Sequence, residues 1–179
     1  NVESRYSSTY RDKVSIDRSN FYGMIANIDE NVGKVESLLN ELGLYEDTIF
    51  IFMTDNGSSM VDDDMHTCGL RGSKNSPYDG GHRVPFFLRY PRLGLDQSRD
   101  IQALSSHVDF MPTVMDLCGI DLQRYSKLNF HGKSLKPLLV DPDHDWQDRT
   151  IVTDSQRLPY PVKWRQSAVM SQQWRLING

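Results

Sequence analysis

At 179 residues, with 38% hydrophobic and 25% charged side chains, the chain has the length and apolar content for one domain with a core, and its composition excludes a disordered segment. The net charge of −4 arises from 20 basic and 24 acidic residues. Lys and Arg are scattered without basic clusters, which leaves no electrostatic footprint for nucleic acid or an anionic membrane, and both are set aside as partners. No apolar run approaches the roughly 20 residues that span a bilayer, and Cys68 and Cys118 stand far apart in neither a C-x-x-C nor a zinc-knuckle spacing. The start at Asn1 is not an initiator and carries no signal-peptide apolar region, so the chain reads as a processed product or a fragment and its compartment stays open.

The first predicted element is a long amphipathic helix over residues 20–42. Phe21, Met24, Ile25, Ile28, Val32, Val35, Leu39 and Leu42 recur at helical spacing, Ser19 or Asn20 offers an N-cap, and Gly43 a stop. Lys34 and Glu41 fall on its solvated face. The run Thr48-Ile49-Phe50-Ile51-Phe52-Met53 is too apolar for a half-exposed strand and suits a central strand covered on both faces. It stops at Thr54-Asp55-Asn56-Gly57. Residues 58–81 show no helical or strand period, include the acidic run Asp62-Asp63-Asp64, and read as a long site-lining loop. A second apolar run covers residues 84–90, with Pro85 at a position a strand start tolerates, and a third, short one covers residues 101–105. A short helix follows, with Val108, Met111, Val114, Met115 and Leu117 on its apolar positions, Pro112 in its first turn and Gly119 as its stop. Strands are expected at residues 149–153, 166–171 and 173–177, the last two as a hairpin.

Ligand groups in open α/β sheets gather beyond the carboxyl ends of strands, and Asp55 and Asn56 sit at such an end. One carboxylate and one amide carbonyl are hard oxygen donors suited to Ca²⁺ or Mg²⁺, but such an ion takes about six ligands, and a plain Asp-Asn-Gly turn explains the same residues. Asn56-Gly57-Ser58 is also an N-glycosylation pattern, a use that excludes metal ligation by Asn56. Beyond it, residues 69–85 mix glycines with Arg71, Lys74 and Arg83. Lys suits a sulfate or phosphate as a compact charge, and Arg through its fork, although solvation at the surface accounts for either.

Thr54-Asp55-Asn56-Gly57, then Gly69-Leu70-Arg71-Gly72-Ser73-Lys74 and Tyr78-Asp79-Gly80-Gly81-His82-Arg83-Val84-Pro85-Phe86, in this order, resemble the second half of a sulfatase catalytic domain. The resemblance extends upstream to Ile28-Asp29-Glu30-Asn31-Val32-Gly33. Downstream it takes in Ser106-His107-Val108-Asp109-Phe110-Met111-Pro112-Thr113 and Gly132-Lys133-Ser134-Leu135-Lys136-Pro137-Leu138-Leu139.

The resemblance implies an alkaline-phosphatase-like α/β fold, with a mixed, mainly parallel sheet flanked by helices and the start of a small C-terminal antiparallel sheet. Residues 1–155 would belong to the catalytic domain and 156–179 to the small subdomain. It implies that Asp55 and Asn56 bind the active-site Ca²⁺, ahead of Mg²⁺, and that Lys74 contacts the sulfate of a sulfated small molecule or glycan. The family's nucleophile is a formylglycine made from Cys or Ser in a Cys/Ser-x-Pro/Ala-x-Arg motif, which neither Cys68 nor Cys118 matches. That motif, with the paired Asp ligands and further Lys and His around the sulfate, is expected upstream, so the segment alone is expected to have no turnover. His66, His82, His107, His131 and His144 receive no catalytic assignment. A periplasmic, secreted or lysosomal setting is compatible with the family. A phosphonate or phosphate ester hydrolase of the same superfamily, or a non-catalytic binder of sulfated glycans, remains open at this stage.

Overall fold

The structure is a computed structural model and describes residues 2–60, 66–125 and 127–178. The acidic run Asp62-Asp63-Asp64 lies outside the described residues. The chain forms two compact units, one of residues 1–49 with 90–92, the other of residues 50–89 with 93–179.

The first unit pairs a short helix α1 (Ser4–Ser7) with the long helix α2 (Ile16–Glu41). Small residues set their approach: Ser19 and Gly23, one turn apart on α2, are buried, as is Ser7 of α1. Arg5 reaches Glu30 at 2.9 Å across the same pair. Helix α2 begins one turn earlier than the periodicity predicts, because Ser15 accepts a hydrogen bond from the Arg18 backbone N–H and makes the cap itself. Replacing Ser15 by Ala is expected to cost about 0.5–1 kcal/mol, read as a lower thermal midpoint. At the other end Gly43 takes φ +66° and stops the helix as expected. Met24, Ile25, Ile28, Val35 and Leu42 of the predicted apolar stripe are exposed.

The second unit holds the five strands found among the described residues. Strand β1 (Phe50–Met53) pairs antiparallel with β2 (Phe86–Arg89), in the register Phe50 opposite Arg89 and Met53 opposite Phe86. Strands running parallel to this pair, which the resemblance implies, are not among the described residues. Phe50, Ile51 and Phe52 are half-buried and Met53 is exposed, so the cover expected on both faces of β1 is incomplete here. Residues 54–85 form the connection between these two neighbouring strands and include the one-turn helix α3 (Asp79–His82).

Helix α4 (Phe110–Leu117) matches the predicted short helix, with Pro112 in its first turn and Gly119 at φ +72° behind it. Helix α5 (Lys136–Val140) packs against it, and Leu95, Leu117, Leu135, Leu138, Ala168 and Met170 form the buried apolar core. The two motifs flanking these helices meet at Asp109. Its carboxylate accepts the backbone N–H of Ser106 and of Lys133 and a two-pronged bond from Arg149. Thr113 Oγ1 accepts the Leu135 N–H at 2.9 Å. Gly132 lies so close that a Cβ there would sit 2.0 Å from the Val108 carbonyl oxygen, so the second motif can press onto the first only with glycine at this position.

Strands β3 (Ile151–Asp154), β4 (Ser167–Met170) and β5 (Arg175–Asn178) make the antiparallel sheet near the C-terminus, with β4 and β5 as the predicted hairpin. The short apolar run at residues 101–105 forms no strand. Side chains take its backbone groups instead: Gln172 accepts the Leu104 N–H and donates to the Gln102 carbonyl, and Arg149 donates to the Leu104 carbonyl.

Candidate functional site

The site is built on the connection from β1 to β2. Asp55 and Asn56 lie two and three residues beyond Met53, the last residue of β1, where the chain leaves the strand pair. Asn56 Nδ2 donates to Asp55 Oδ2 at 2.8 Å, which draws the two side chains together and uses the amide N–H, leaving the amide carbonyl as an acceptor. Asp55 is exposed and Asn56 half-buried.

The loop then folds back on its own start. Lys74 N–H donates to the Ser58 carbonyl at 2.9 Å, Gly57 N–H to the Gly81 carbonyl at 3.0 Å, and Gly80 N–H to the Arg71 carbonyl at 2.8 Å. These bonds bring three separate stretches of the sulfatase-like sequence side by side: Asp55 to Ser58, Arg71 to Lys74, and Tyr78 to Gly81. Glycine is what permits it. A Cβ on Gly57 would fall 1.8 Å from the Gly80 carbonyl oxygen, and one on Gly80 would fall 2.3 Å from that of Gly72. Gly80→Ala is therefore expected to cost about 1–3 kcal/mol through forced backbone movement. Gly33→Ala is the control, since nothing lies within 4 Å of its Cβ position in the middle of α2 and alanine favours the helix. Thermal unfolding of both variants checks this, and equal midpoints would count against the tight loop.

A cleft of about 170 Å³ opens here, lined by Asp55 and Asn56 on one side, by Asn75, Ser76, Pro77, Gly81 and His82 of the loop, and by Thr153, Asp154 and Ser155 at the end of β3. Lys74 is half-buried and adjoins the cleft through Asn75, without lining it. The cleft is polar, and two buried polar atoms of its lining residues, His82 Nδ1 and Thr153 Oγ1, have no hydrogen-bond partner.

His82 is 3.1 Å from Met170 Sδ and 3.5 Å from Asp79 Oδ1 through its Nε2. Burial pushes its pKa below the usual histidine value; the Asp79 charge opposes this and Arg175 adds to it. The ring is neutral at pH 7. Arg175 of β5 bonds Asp79 at 3.3 Å, so the C-terminal hairpin holds the Asp79-Gly80-Gly81-His82 turn at both of its polar side chains. Sequence reading misses this support: Arg175 is 96 residues from Asp79 and Met170 is 88 residues from His82, and no local pattern signals either pairing.

The donor chemistry fits part of a hard-cation site. Asp55 and Asn56 would supply two of the about six oxygen ligands such an ion takes, and no group of three or more His, Cys, Asp or Glu capable of holding a metal occurs among the described residues. His66, His107, His131 and His144 lie away from the cleft lining. No helix among the described residues is long and apolar enough to cross a membrane.

Comparison with known proteins accounts for this arrangement. The family model described as Sulfatase matches residues 1–120, and that described as N-sulphoglucosamine sulphohydrolase, C-terminal, matches residues 73–178. The chain is 33% identical over 123 residues to an endo-4-O-sulfatase of Bacteroides thetaiotaomicron, covering 68% of this chain and 22% of that protein. It is 32% identical over 130 residues to an arylsulfatase of Clostridium perfringens, covering 72% of this chain and 25% of that protein. The chain thus spans about a quarter or less of these curated relatives. A crystal structure of Ps i-CgsB in complex with k-i-k-neocarrahexaose superposes on all of this chain and 38% of its own, with a TM-score of 0.83 at 23% identity, a likeness of fold. The α/β architecture, with its small antiparallel sheet toward the C-terminus, is that of part of an alkaline-phosphatase-like domain. The chain belongs to the sulfatase family.

Proposed function

We propose that the protein hydrolyses sulfate esters, and that this chain supplies a metal-binding and sulfate-binding part of its active site without the nucleophile. The observation that carries the reading is the fold-back of the β1–β2 connection, which bonds the Lys74 backbone to Ser58, two residues beyond Asn56. This brings the backbone that carries Lys74 beside the stretch that carries Asp55 and Asn56, which supports a shared site.

In this reading Asp55 and Asn56 hold Ca²⁺. The ion, when bound, supplies positive charge that favours the build-up of negative charge on sulfate oxygens. Asp55 contributes the anionic ligand and Asn56 a neutral one, and the bond between them fixes the spacing of the pair before the ion arrives. Lys74 places an ammonium against a sulfate oxygen, an interaction that strengthens as charge accumulates during S–O cleavage. Gly57 and Gly80 let the backbone of the three stretches close up. The nucleophile is expected to be a formylglycine in a segment other than this one, because the surroundings of Cys68 and Cys118 lack the motif from which it forms. A sulfated small molecule or glycan is the substrate class, a choice supported by the names of the two curated relatives.

Calorimetric titration with Ca²⁺ tests the metal part: the protein should bind it, and Asp55→Ala should remove binding while its circular dichroism is retained. Unchanged affinity in that variant would refute the assignment. Turnover tests the chemistry, with a sulfate monoester hydrolysed faster than the matching phosphate or phosphonate monoester. The reverse preference would make the protein a phosphoesterase, and no turnover of any of them would make it a binding relative.

A further inference from the structure

We propose that the β3–β4 loop, residues 155–166, is a saccharide-binding arm for the non-reacting part of a sulfated oligosaccharide. Tyr160 and Trp164 would stack on sugar rings, and Arg157, Lys163 and Arg165 would meet the sulfate groups. The inference rests on the proposed function for where the cleaved ester lies, and extends it from a single sulfated sugar to a chain of several.

Charge is the first observation. In a protein of net charge −4 this loop carries three cations and no acidic residue. Exposure is the second: Tyr160 is 86% and Trp164 59% exposed, both large rings that gain by leaving water. A mixture of exposed aromatic faces and unopposed cations suits a ligand with apolar C–H faces and anionic substituents, which a sulfated sugar has. Lys163 Nζ stands 5.0 Å from the centre of the Trp164 ring, so a cation and a stacking face are presented together.

The loop is also held in shape. Gln156 bonds Val162 in both directions, its Nε2 donating to the carbonyl at 2.9 Å and its Oε1 accepting the N–H at 2.8 Å. Ser155 N–H donates to the Gln166 carbonyl. The Trp164 carbonyl accepts from Ser167 Oγ and Asn178 Nδ2. Trp164 sits at φ +68° and Gln166 at φ +47°, a region that costs a bulky residue roughly 1 kcal/mol or more. An aromatic residue kept in that conformation while its ring faces water contributes little to the fold, and a ligand gives it a use.

The arm is continuous with the candidate site. Ser155, its first residue, lines the cleft together with Asp154, Asp55 and Asn56. Arg157 donates to Asn75 Oδ1 at 3.2 Å, the residue after Lys74. A saccharide whose sulfate ester lies at Lys74 would thus have the arm beside it, joined to the next residue, Asn75, through Arg157.

Calorimetry with three probes tests this: a carrageenan-type sulfated hexasaccharide, its desulfated counterpart, and a monosaccharide 6-sulfate. Tyr160→Ala combined with Trp164→Asn, asparagine being chosen because it accepts positive φ, should weaken hexasaccharide binding about tenfold or more and leave the monosaccharide within about twofold. Converting Arg157, Lys163 and Arg165 together to Gln should abolish the preference for the sulfated over the desulfated hexasaccharide. Amide spectra showing intact β3–β4 pairing secure the fold of each variant. Hexasaccharide affinity within about twofold of the parent in the aromatic variant, or equal binding of both hexasaccharides by the unaltered protein, overturns the proposal. Lys74→Ala separates the two readings: it should weaken all sulfated probes, the monosaccharide included. If it leaves the monosaccharide unaffected while the arm variants still lose the hexasaccharide, the active-site reading fails and the arm stands.

Discussion

Arg149→Met is expected to destabilise the protein by about 3–5 kcal/mol, the cost of stranding a buried charge. Asp109 is 0% exposed and Arg149 13%, and the guanidinium meets both carboxylate oxygens while also donating to the Leu104 carbonyl. Methionine keeps much of the side-chain volume but leaves Asp109 with only the Ser106 and Lys133 N–H groups. Urea unfolding gives the loss directly. Adding Asp109→Leu to Arg149→Met should recover part of it, since the uncompensated charge is then gone; no recovery would mean that the packing of Arg149 on Trp146, and not the ion pair, sets the effect.

The same residue sets a pH dependence. Burial works against the charged form of Asp109, but the Arg149 guanidinium and the N–H groups of Lys133 and Ser106 outweigh it and hold the carboxyl below its usual range. A carboxyl whose folded pKa is depressed contributes stability that is fully present above its unfolded value, about 3.9, and is lost as the pH falls through the folded value. The gap in stability between the parent and Asp109→Asn should therefore be constant near neutrality and narrow below about pH 4. A gap that stays constant into acid would show that Asp109 does not titrate with folding.

Lys74→Ala carries the second large effect, on rate. In the whole protein, kcat for a sulfate monoester should fall about 10²–10³-fold, the loss typical of one group aimed at developing charge, with KM changed much less. The split between kcat and KM is the informative part, because a cation that merely attracts the ground-state anion would raise KM and leave kcat alone. Lys74→Arg should restore only part of the rate, since a planar fork cannot reproduce a compact ammonium tied by its backbone to Ser58. A kcat within about threefold of the parent would remove Lys74 from the catalytic assignment.

The parts of the fold legible in sequence are those set by neighbours along the chain. Helix α2 follows from apolar residues at helical spacing and from Gly43, and only its start shifts, to the stronger cap at Ser15. The β4–β5 hairpin follows from two short runs separated by a few polar residues. Residues 101–105 mislead because their apolar content suits a strand, whereas the side chains that claim their backbone groups, Gln172 and Arg149, come from 45 residues or more away. The site divides the same way. Asp55, Asn56 and Lys74 are marked by the order of motifs that resembles the family's, whereas spacing alone leaves a turn and a solvated lysine. The cleft residues Thr153 to Ser155 and the supports Arg175 and Met170 carry no local mark, because their proximity to residues 55–82 comes from tertiary pairing and not from the local chain.

Strand pairing also governs what the β1–β2 connection can become. Met53 and Phe86 face each other in the ladder, so the two ends of the connection are anchored to each other whatever lies between them. For a flexible segment fixed at both ends, each doubling of length adds only about 0.6 kcal/mol of closure entropy. The ladder absorbs the geometric demand and keeps Asp55 and Asn56 at the end of β1, while the bonds from Lys74 to Ser58, from Gly57 to Gly81 and from Gly80 to Arg71 fix the later part of the connection against them. An insertion between Ser58 and Arg71 would therefore add little closure cost and leave the oxygen pair at the end of β1 in register.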